Sequence, residues 1–441
     1  MTVKTTLSIF GLGYVGSVCS ACFANRGHNV IGIDTNKKKV RNINNGISPI
    51  IEDSLGDIIQ KEVTTGRLHA ISDVQQAVKQ SDISLISVGT PSRSNGSLDL
   101  TYVCRVSEQI GEALCHKDAY HMVVVRSTVL PGTTENVVIP LLEKASGKKA
   151  GRDFGVAFNP EFLREGSAIR DFENPPKTVI GAANEKDAEI VAKLYSDIDA
   201  PLFKTDIRTA ETVKYADNAF HALKVVFGNE IGVLAKSCGV DSHKVMDIFC
   251  SDTKLNLSPY YLKPGFAFGG SCLPKDLRAL VRLAKTNDIQ IPMISSIIPS
   301  NEVHIKRALH RILALGKKKV GILGFSFKEG TDDLRESPMV ELVENLIGKG
   351  YSLKLYDQNV SMARLVGTNK EFIDKKLPHI LDFIVTDTQD LVDTCDVIII
   401  GQKNPLFVDV LKDLKAHQHV IDLIRITPTI ETEAFYEGIC W

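Results

Sequence analysis

Cys272 follows Gly269, Gly270 and Ser271 and runs straight into Leu273-Pro274-Lys275-Asp276. Apolar Leu277, Leu280, Val281 and Ala284 then recur at helical spacing, and Pro274 suits a first turn, so the thiol is expected at a helix N-terminus. The partial positive charge and unpaired N–H groups there, with Lys275 close in sequence, favour the thiolate, the form that attacks a carbonyl carbon. The chemistry suggested is covalent capture of a carbonyl compound. The bland alternative is a small buried hydrophobe, the common state of cysteine in a reduced chain.

Lys214, Asn218, His221 and Asn229 are spaced by 4, 3 and 8 residues, which lines them up on one stripe of a helix expected from 210 to about 238. A solvated face is the plain reading. Such faces are usually Glu, Lys and Gln, however, and Asn and His are poorer helix formers, so the stripe reads as the wall of a site. Val213, Ala216, Phe220, Leu223, Phe227, Ile231 and Leu234 supply an apolar face. A helix this long is also a natural surface for a homodimer or higher homo-oligomer.

A third group is built for phosphate. Gly11-Leu12-Gly13-Tyr14-Val15-Gly16 follows an apolar strand, Thr6–Phe10, opens a helical stretch at 17–26, and precedes a second strand, Asn29–Ile33, that ends in Asp34. In that setting Gly11 makes the tight turn, Gly13 lets backbone approach a pyrophosphate and Gly16 permits helix–strand packing. Asp34 stands where an acid accepts ribose hydroxyls and repels a 2′-phosphate, so NAD is expected rather than NADP. Strands at 83–88 and Met122–Val125 end in Thr90 and in Ser127-Thr128. Turn formation explains either alone; hydroxyls at two strand ends on one edge suit a cofactor cleft.

The scaffold follows from the alternation of these runs. Further apolar strands are expected at 154–158 and 177–180, with a helix at 185–198 completing a first α/β domain. From Lys318, short apolar strands at 320–325, 352–356, 383–385, 397–400 and 420–423 alternate with helical stretches, a second parallel sheet. Its first turn, from Gly321 to Lys328, lacks the full glycine fingerprint and suits a mononucleotide portion rather than a second NAD. Lys328 and Arg335 could bind a diphosphate, Arg335 with its fork. Tyr260 and Tyr261 with Lys263 could stack on a ring and reach phosphate, or simply pack in a core. The expected fold class is α/β: two Rossmann-like parallel-sheet domains joined by a long helix and a helical central region. The expected boundaries are an N-terminal NAD-binding domain at 1–204, a central dimerisation region with the cysteine loop at 205–310, and a C-terminal Rossmann-like domain at 311–441.

The totals exclude several classes of function. At 441 residues, 44% hydrophobic and 24% charged, the chain is long enough for two or three globular domains. A formal charge of -1 argues against general attraction to nucleic acid or an anionic membrane. There is no basic, apolar targeting pattern at the start and no run long enough for a membrane span, so a cytoplasmic protein is expected. Nine cysteines without framework spacing fit reduced thiols, and Cys19 and Cys22 fall inside the first helix with no second pair, so no metal site is expected.

Taken together, the glycine fingerprint, VGTP, RSTVLPG, NPEFLREGSA, ETVKYADNAFH, GFAFGGSCLPKD and FKEGTDDLRESP resemble the nucleotide-sugar 6-dehydrogenase family, the UDP-glucose and GDP-mannose dehydrogenases, over essentially the whole length. SPYYLKPGFAFGGSCLPKD and the terminal EGICW are most similar to the GDP-mannose branch. The resemblance implies a four-electron oxidation of a sugar C6 alcohol to a carboxylate with two NAD, here turning GDP-mannose into GDP-mannuronate for alginate-type polymers. It implies Cys272 as the thiol of a thiohemiacetal and thioester, Lys214 and Asn218 as oxyanion stabilisers, Asp276 as a partner in proton transfer, and Glu161 with Thr128 in thioester hydrolysis. Tyr14, Val15, Asp34, Lys39, Thr90, Thr128, Lys275 and Arg335 match cofactor contacts. Glu165, His221, Asn229, Tyr260, Tyr261, Lys263, Phe266 and Lys328 match the nucleotide-sugar site, which the 311–441 domain is expected to share. Lys263 stands where the GDP-mannose branch carries arginine, keeping the charge without the fork. The rival readings are the same chemistry on UDP-glucose or a UDP-N-acetylhexosamine, and a non-catalytic nucleotide-sugar sensor.

Overall fold

Strands buried on both faces read as unbroken apolar runs, and the central strands of this chain do so. In Met122–Val125, Met122 and Val124 enter the core on one face of the sheet and Val123 and Val125 the core on the other. The computed structural model describes residues 4–253, 261–288, 290–328, 330–331, 333–363 and 378–441. The chain divides into two units, 1–217 and 218–441.

The first unit carries β1 (Thr6–Phe10), β2 (Asn29–Ile33), β3 (Leu68–Ile71), β4 (Ile83–Ile86), β5 (Met122–Val125), β6 (Gly155–Phe158), β7 (Thr178–Ala182) and β8 (Leu202–Thr205). They form one sheet in the order β3-β2-β1-β4-β5-β6-β7-β8. The first six strands are the doubly wound order, parallel throughout, and the strand order reverses at β1, where the glycine turn sits. The join between β6 and β7 is antiparallel, after which β7 and β8 again run parallel. The second unit carries β9 (Lys319–Leu323), β10 (Ser352–Tyr356), β11 (Val397–Ile400), β12 (His419–Asp422) and β13 (Phe435–Gly438), all parallel in the order β10-β9-β11-β12-β13.

Three strands escape the apolar-run argument: β3, β8 and β13. Each is the last strand at an edge, where one side lacks a neighbour and polar side chains are tolerated, as in exposed His69 of β3 and Lys204 of β8. The strand expected at 383–385 is instead a single bridge between Leu355 and Ile384, following a 3-10 turn at Pro378–Phe383. Its apolar run is three residues long between Asp382 and Thr386-Asp387, too short to sustain a ladder. The helix expected at 185–198 stops at Ala192 and tightens into a 3-10 turn, Lys193–Tyr195.

The long helix is Ile207–Ser237, 31 residues. Its buried positions include Lys214, Asn218 and Asn229 beside Ala210, Ala219, Ala222 and Val226, while Ala216, Phe220 and Phe227 are exposed. Polar and apolar side chains are thus buried on the same helix, with Val213, Leu223 and Ile231 packed against hydrophobic clusters. Small residues make this possible: a Cβ on Gly228 would come within 3.0 Å of the Leu262 carbonyl oxygen. Among the described residues no helix is long and apolar enough to cross a membrane.

Candidate active site

The glycine turn between β1 and the helix Tyr14–Asn25 divides its labour as the spacing implies. Gly11 has φ +96°, and a Cβ there would meet the Ser87 carbonyl oxygen at 2.9 Å; on Gly16 it would lie 1.8 Å from the Gly11 oxygen. Gly13 is different, because among the described residues nothing lies within 4 Å of a Cβ placed on it. Packing does not demand that glycine, and its effect is to leave the helix's first N–H groups open to approach, as a pyrophosphate needs. At the end of β2, Asp34 accepts the N–H groups of Leu12 and Asn36, each at 2.8 Å, with Lys39 Nζ 3.4 Å away. Thr90 donates its hydroxyl to the Thr128 carbonyl at 2.9 Å, and Ser127 to that of Val88 at 2.6 Å, so the ends of β4 and β5 are tied together. Val15 packs against the core and can offer only its backbone. This turn fits a dinucleotide.

Glu161, two residues past Asn159 at the end of β6, meets Lys214 of the long helix at 3.0 Å, with side-chain exposures of 8% and 7%. Burial alone would push the Glu161 carboxyl up; the Lys214 ammonium, the Leu163 N–H at 2.7 Å and the Arg126 charge outweigh it and hold the carboxyl below its usual range. Phe162 lies under the Lys214 ammonium, 5.5 Å from ring centre to Nζ. Arg126, which the sequence argument passed over as part of a turn, is a buried hub. It donates to Asn159 Oδ1 at 2.5 Å, to Tyr195 Oη at 3.0 Å and to Cys19 Sγ at 3.1 Å. Burial raises the thiols of both Cys19 and Cys22, which leaves that pair inert. Glu165 is half-buried on the loop that Glu161 begins.

In the second unit Cys272 is the N-cap of the helix Leu273–Thr286 and is exposed, not a core residue. Its carbonyl accepts the Asp276 N–H at 2.9 Å. The Asp276 carboxylate, almost fully buried, accepts from the Asn218 side-chain amide and lies 3.3 Å from Lys275 Nζ. The loop before the thiol owes its shape to close approach. A Cβ on Gly269 would stand 2.4 Å from the Glu336 carbonyl oxygen, and Gly270, with φ +86°, would meet the Phe327 ring at 2.8 Å. The glycines are thus required by fit, a reason beyond the flexibility their type suggests. Asn301 pairs with Phe268 in both directions, accepting its N–H at 2.9 Å and donating to its carbonyl at 2.8 Å. His304 lies 2.8 Å from the Gly265 carbonyl, and Arg278 grips Glu336 with two bonds of 2.6 Å. No motif signals Asn301 or His304; both sit in a helix, Pro292–Ala314, whose polar residues look solvated in sequence.

The nucleotide-type residues are distributed unevenly. His221 and Tyr261 rings are 5.1 Å apart, and Tyr261 adopts φ +66°. Buried Lys224 adds a cation 5.5 Å from the Tyr261 ring centre, a residue the stripe argument missed because it lies outside the chosen spacing. Lys263 pairs at 3.1 Å with Asp247 on the surface. Asn229 spends its amide on the loop backbone, accepting the Gly265 N–H and donating to the Phe266 carbonyl, each at 3.0 Å. Phe266 packs against the core of the second sheet. The Lys328 carbonyl accepts from Ser326 and Gln402 at 3.2 Å each, and the Arg335 fork is engaged by Asp333 at 2.8 and 2.6 Å. Tyr260 lies outside the described residues.

Comparison with known proteins accounts for this constellation. Residues 5–199 match the NAD binding domain of the UDP-glucose/GDP-mannose dehydrogenase family, 208–303 its central domain and 321–429 its UDP binding domain. The chain belongs to that family. It is similar to the GDP-mannose 6-dehydrogenase of Pseudomonas aeruginosa, 51% identical over 435 residues, 99% of this chain and 100% of the relative. The enzyme of the same name from Azotobacter vinelandii is 50% identical with the same coverage. Among solved structures, a UDP-glucose dehydrogenase from Pyrobaculum islandicum superposes with TM-score 0.90 at 36% identity, covering 100% of this chain and 98% of that one. The ternary complex of Pseudomonas aeruginosa GDP-mannose dehydrogenase, 51% identical, covers 99% and 100% with TM-score 0.57. As a member of the UDP-glucose/GDP-mannose dehydrogenase family, the chain is an NAD-dependent nucleotide-sugar 6-dehydrogenase. NAD is its cofactor, and the glycine turn with Asp34 fits that assignment.

Proposed function

We propose that this chain oxidises GDP-mannose at C6 to GDP-mannuronate, in two steps held together by the Cys272 thiol. The observation that carries the reading is the exposed thiol at a helix N-terminus, set on a loop pinned by Asn229, Asn301 and His304. The substrate assignment rests on relatives named GDP-mannose 6-dehydrogenase, 49–51% identical along nearly the whole chain.

NAD supplies a hydride acceptor for each oxidation. In the first, the C6 alcohol gives up a proton and a hydride and becomes an aldehyde. The Cys272 sulfur then adds to that carbon, forming a C–S bond and an alkoxide, which Lys214 and Asn218 are assigned to stabilise. Loss of a second hydride from the same carbon leaves a thioester. Water, positioned by Glu161 with Thr128, adds to the thioester carbonyl, the C–S bond breaks, and the thiolate and the C6 carboxylate are released. Asp276, beside Lys275, is assigned the proton shared with bound water. Covalent retention by Cys272 keeps the aldehyde bound between the two oxidations. Glu165, His221, Tyr260, Tyr261, Lys263 and Lys328 are assigned to the nucleotide sugar, with Lys39, Lys275 and Arg335 on the cofactor side. The proposed division is the cofactor domain at 1–204, the central region at 205–310 and the nucleotide-sugar domain at 311–441.

Phe220 and Phe227, 41% and 40% exposed on the long helix, favour a homodimer through that face. A cytoplasmic site of action and an outlet into an alginate-type polymer complete the proposal. NADH formed per mole of limiting sugar nucleotide tests it, with GDP-mannose and UDP-glucose run side by side. About two NADH per GDP-mannose is expected, with little from UDP-glucose. A yield of about one removes the role of Cys272, a preference for UDP-glucose moves the substrate, and no NADH from any sugar nucleotide supports a sensor.

A further inference from the structure

Glu52 belongs to no sequence motif, yet three donors from two distant stretches converge on its carboxylate. The Tyr14 hydroxyl donates to Oε2, the Gly166 N–H to the same oxygen at 2.8 Å and the Ala168 N–H to Oε1 at 2.8 Å. Glu52 is 8% exposed, so these bonds form with little competition from water. Tyr14 is the residue after Gly13 in the glycine turn and the first of the helix Tyr14–Asn25. Gly166 and Ala168 close the loop that Glu161 opens and that carries Glu165. Burial, then the Glu52 carboxylate, raises the Tyr14 phenol, so its proton stays in place to be donated across the neutral range. The Tyr14 hydroxyl also lies 3.5 Å from the Arg164 carbonyl, a second tie to the same loop. Both carboxylate oxygens are therefore occupied, and every donor comes from a segment that the reaction uses.

We propose that Glu52 is a positioning residue that sets the 161–168 loop against the cofactor turn, so that the turn ordered by NAD also orders the loop that meets the sugar nucleotide. The inference rests on the dehydrogenase reading above and adds a coupling within the first unit. A carboxylate shared between two segments cannot follow one without loosening the other. Replacing it with an amide keeps the size but turns an NH2 toward at least one of three donors, which leaves that donor unpaired.

The test uses Glu52→Gln, Tyr14→Phe and the double variant, with kcat and KM measured separately for NAD and GDP-mannose, and the thermal midpoint of each. Glu52→Gln should raise KM for GDP-mannose about tenfold, more than it lowers kcat. Tyr14→Phe should raise the same KM by a smaller factor although it sits in the cofactor turn, and should add little once Glu52 is already Gln. Should Glu52→Gln fail to fold, the GDP-mannose KM of Tyr14→Phe still decides. A lowered thermal midpoint with both KM values unchanged, or effects of the two substitutions that simply multiply, overturns the proposal. Wild-type turnover separates the two readings: absence of NADH formation from the unaltered chain strikes at the dehydrogenase itself, whereas normal turnover with an unmoved KM in the variants removes only the role of Glu52.

Discussion

Glu161 and Lys214 meet at 3.0 Å in a setting where neither side chain is more than 8% exposed. Each charge is tolerable there because of the other. Removing one partner of a buried pair costs about 3–5 kcal/mol, because the survivor is left charged and desolvated. Lys214→Met should therefore destabilise the first unit by that order at neutral pH. The pH dependence follows from the sign of the shift. A carboxyl held below its unfolded value stabilises the fold above that value, and the contribution disappears as pH falls through the folded value. In Lys214→Met burial dominates and the carboxyl rises, so the gap between variant and parent should narrow as pH drops from 7 toward about 4. Thermal midpoints across that range check it; a gap that is constant or widens in acid contradicts the pairing.

Cys272→Ala should reduce formation of the carboxylate about a thousandfold or more, since the loss removes a covalent step rather than a contact. NADH binding, measured by its fluorescence, should be unchanged because the substitution leaves the glycine turn and Asp34 intact. Retention of ordinary turnover by the alanine variant would leave the thiol without a function.

The two glycines before Cys272 should respond differently to alanine, and in an unexpected order. Gly270 has φ +86° and meets a ring, which can turn; Gly269 meets the Glu336 carbonyl oxygen at 2.4 Å and Pro338 at 2.5 Å, which are backbone or tied to it. Gly269→Ala should be the more damaging, with Gly270→Ala costing about 1–3 kcal/mol from the left-handed backbone and the crowded ring. Phe327→Leu should recover part of the Gly270→Ala loss and none of the Gly269→Ala loss. Urea midpoints of the four proteins decide the order.

Asp34→Ala should shift cofactor choice. With the carboxylate gone and Lys39 still beside the ribose end of the turn, the ratio of kcat/KM for NAD over NADP should fall about tenfold or more. An unchanged ratio would mean that discrimination lies elsewhere.

The sequence made the scaffold legible wherever a strand is buried on both faces, as in β1, β4, β5, β11 and β12, because those segments must be apolar throughout. It was silent on β3, β8 and β13, whose edge positions relax that demand. For the site, spacing located the glycine turn and Cys272 because each needs a fixed local geometry. The inward polar stripe of the long helix was legible too, as Lys214, Asn218 and Asn229 are buried. What spacing could not supply were residues whose roles depend on distant partners. Arg126 reads as part of a turn until Cys19, Asn159 and Tyr195 surround it, and Asn301 reads as a solvated helix residue until Phe268 pairs with it. Arg335 adds a detail that its type did not show: the Asp333 carboxylate, two residues earlier, orients its fork.

The clamps on the cysteine loop have a consequence for time as well as shape. Gly265 is held by Asn229, 36 residues earlier, and by His304, 39 residues later; Phe268 is held by Asn301 at a separation of 33, and Arg278, in the helix that the loop leads into, by Glu336 at 58. None of these contacts is local, and each needs a loop closed before it returns any stabilisation. A chain diluted from denaturant should regain helix first and a shaped thiol loop last, so that reactivity of Cys272 lags the recovery of secondary structure. The nucleophile is thus protected by the order of folding: until the second unit is assembled, Cys272 is an ordinary thiol.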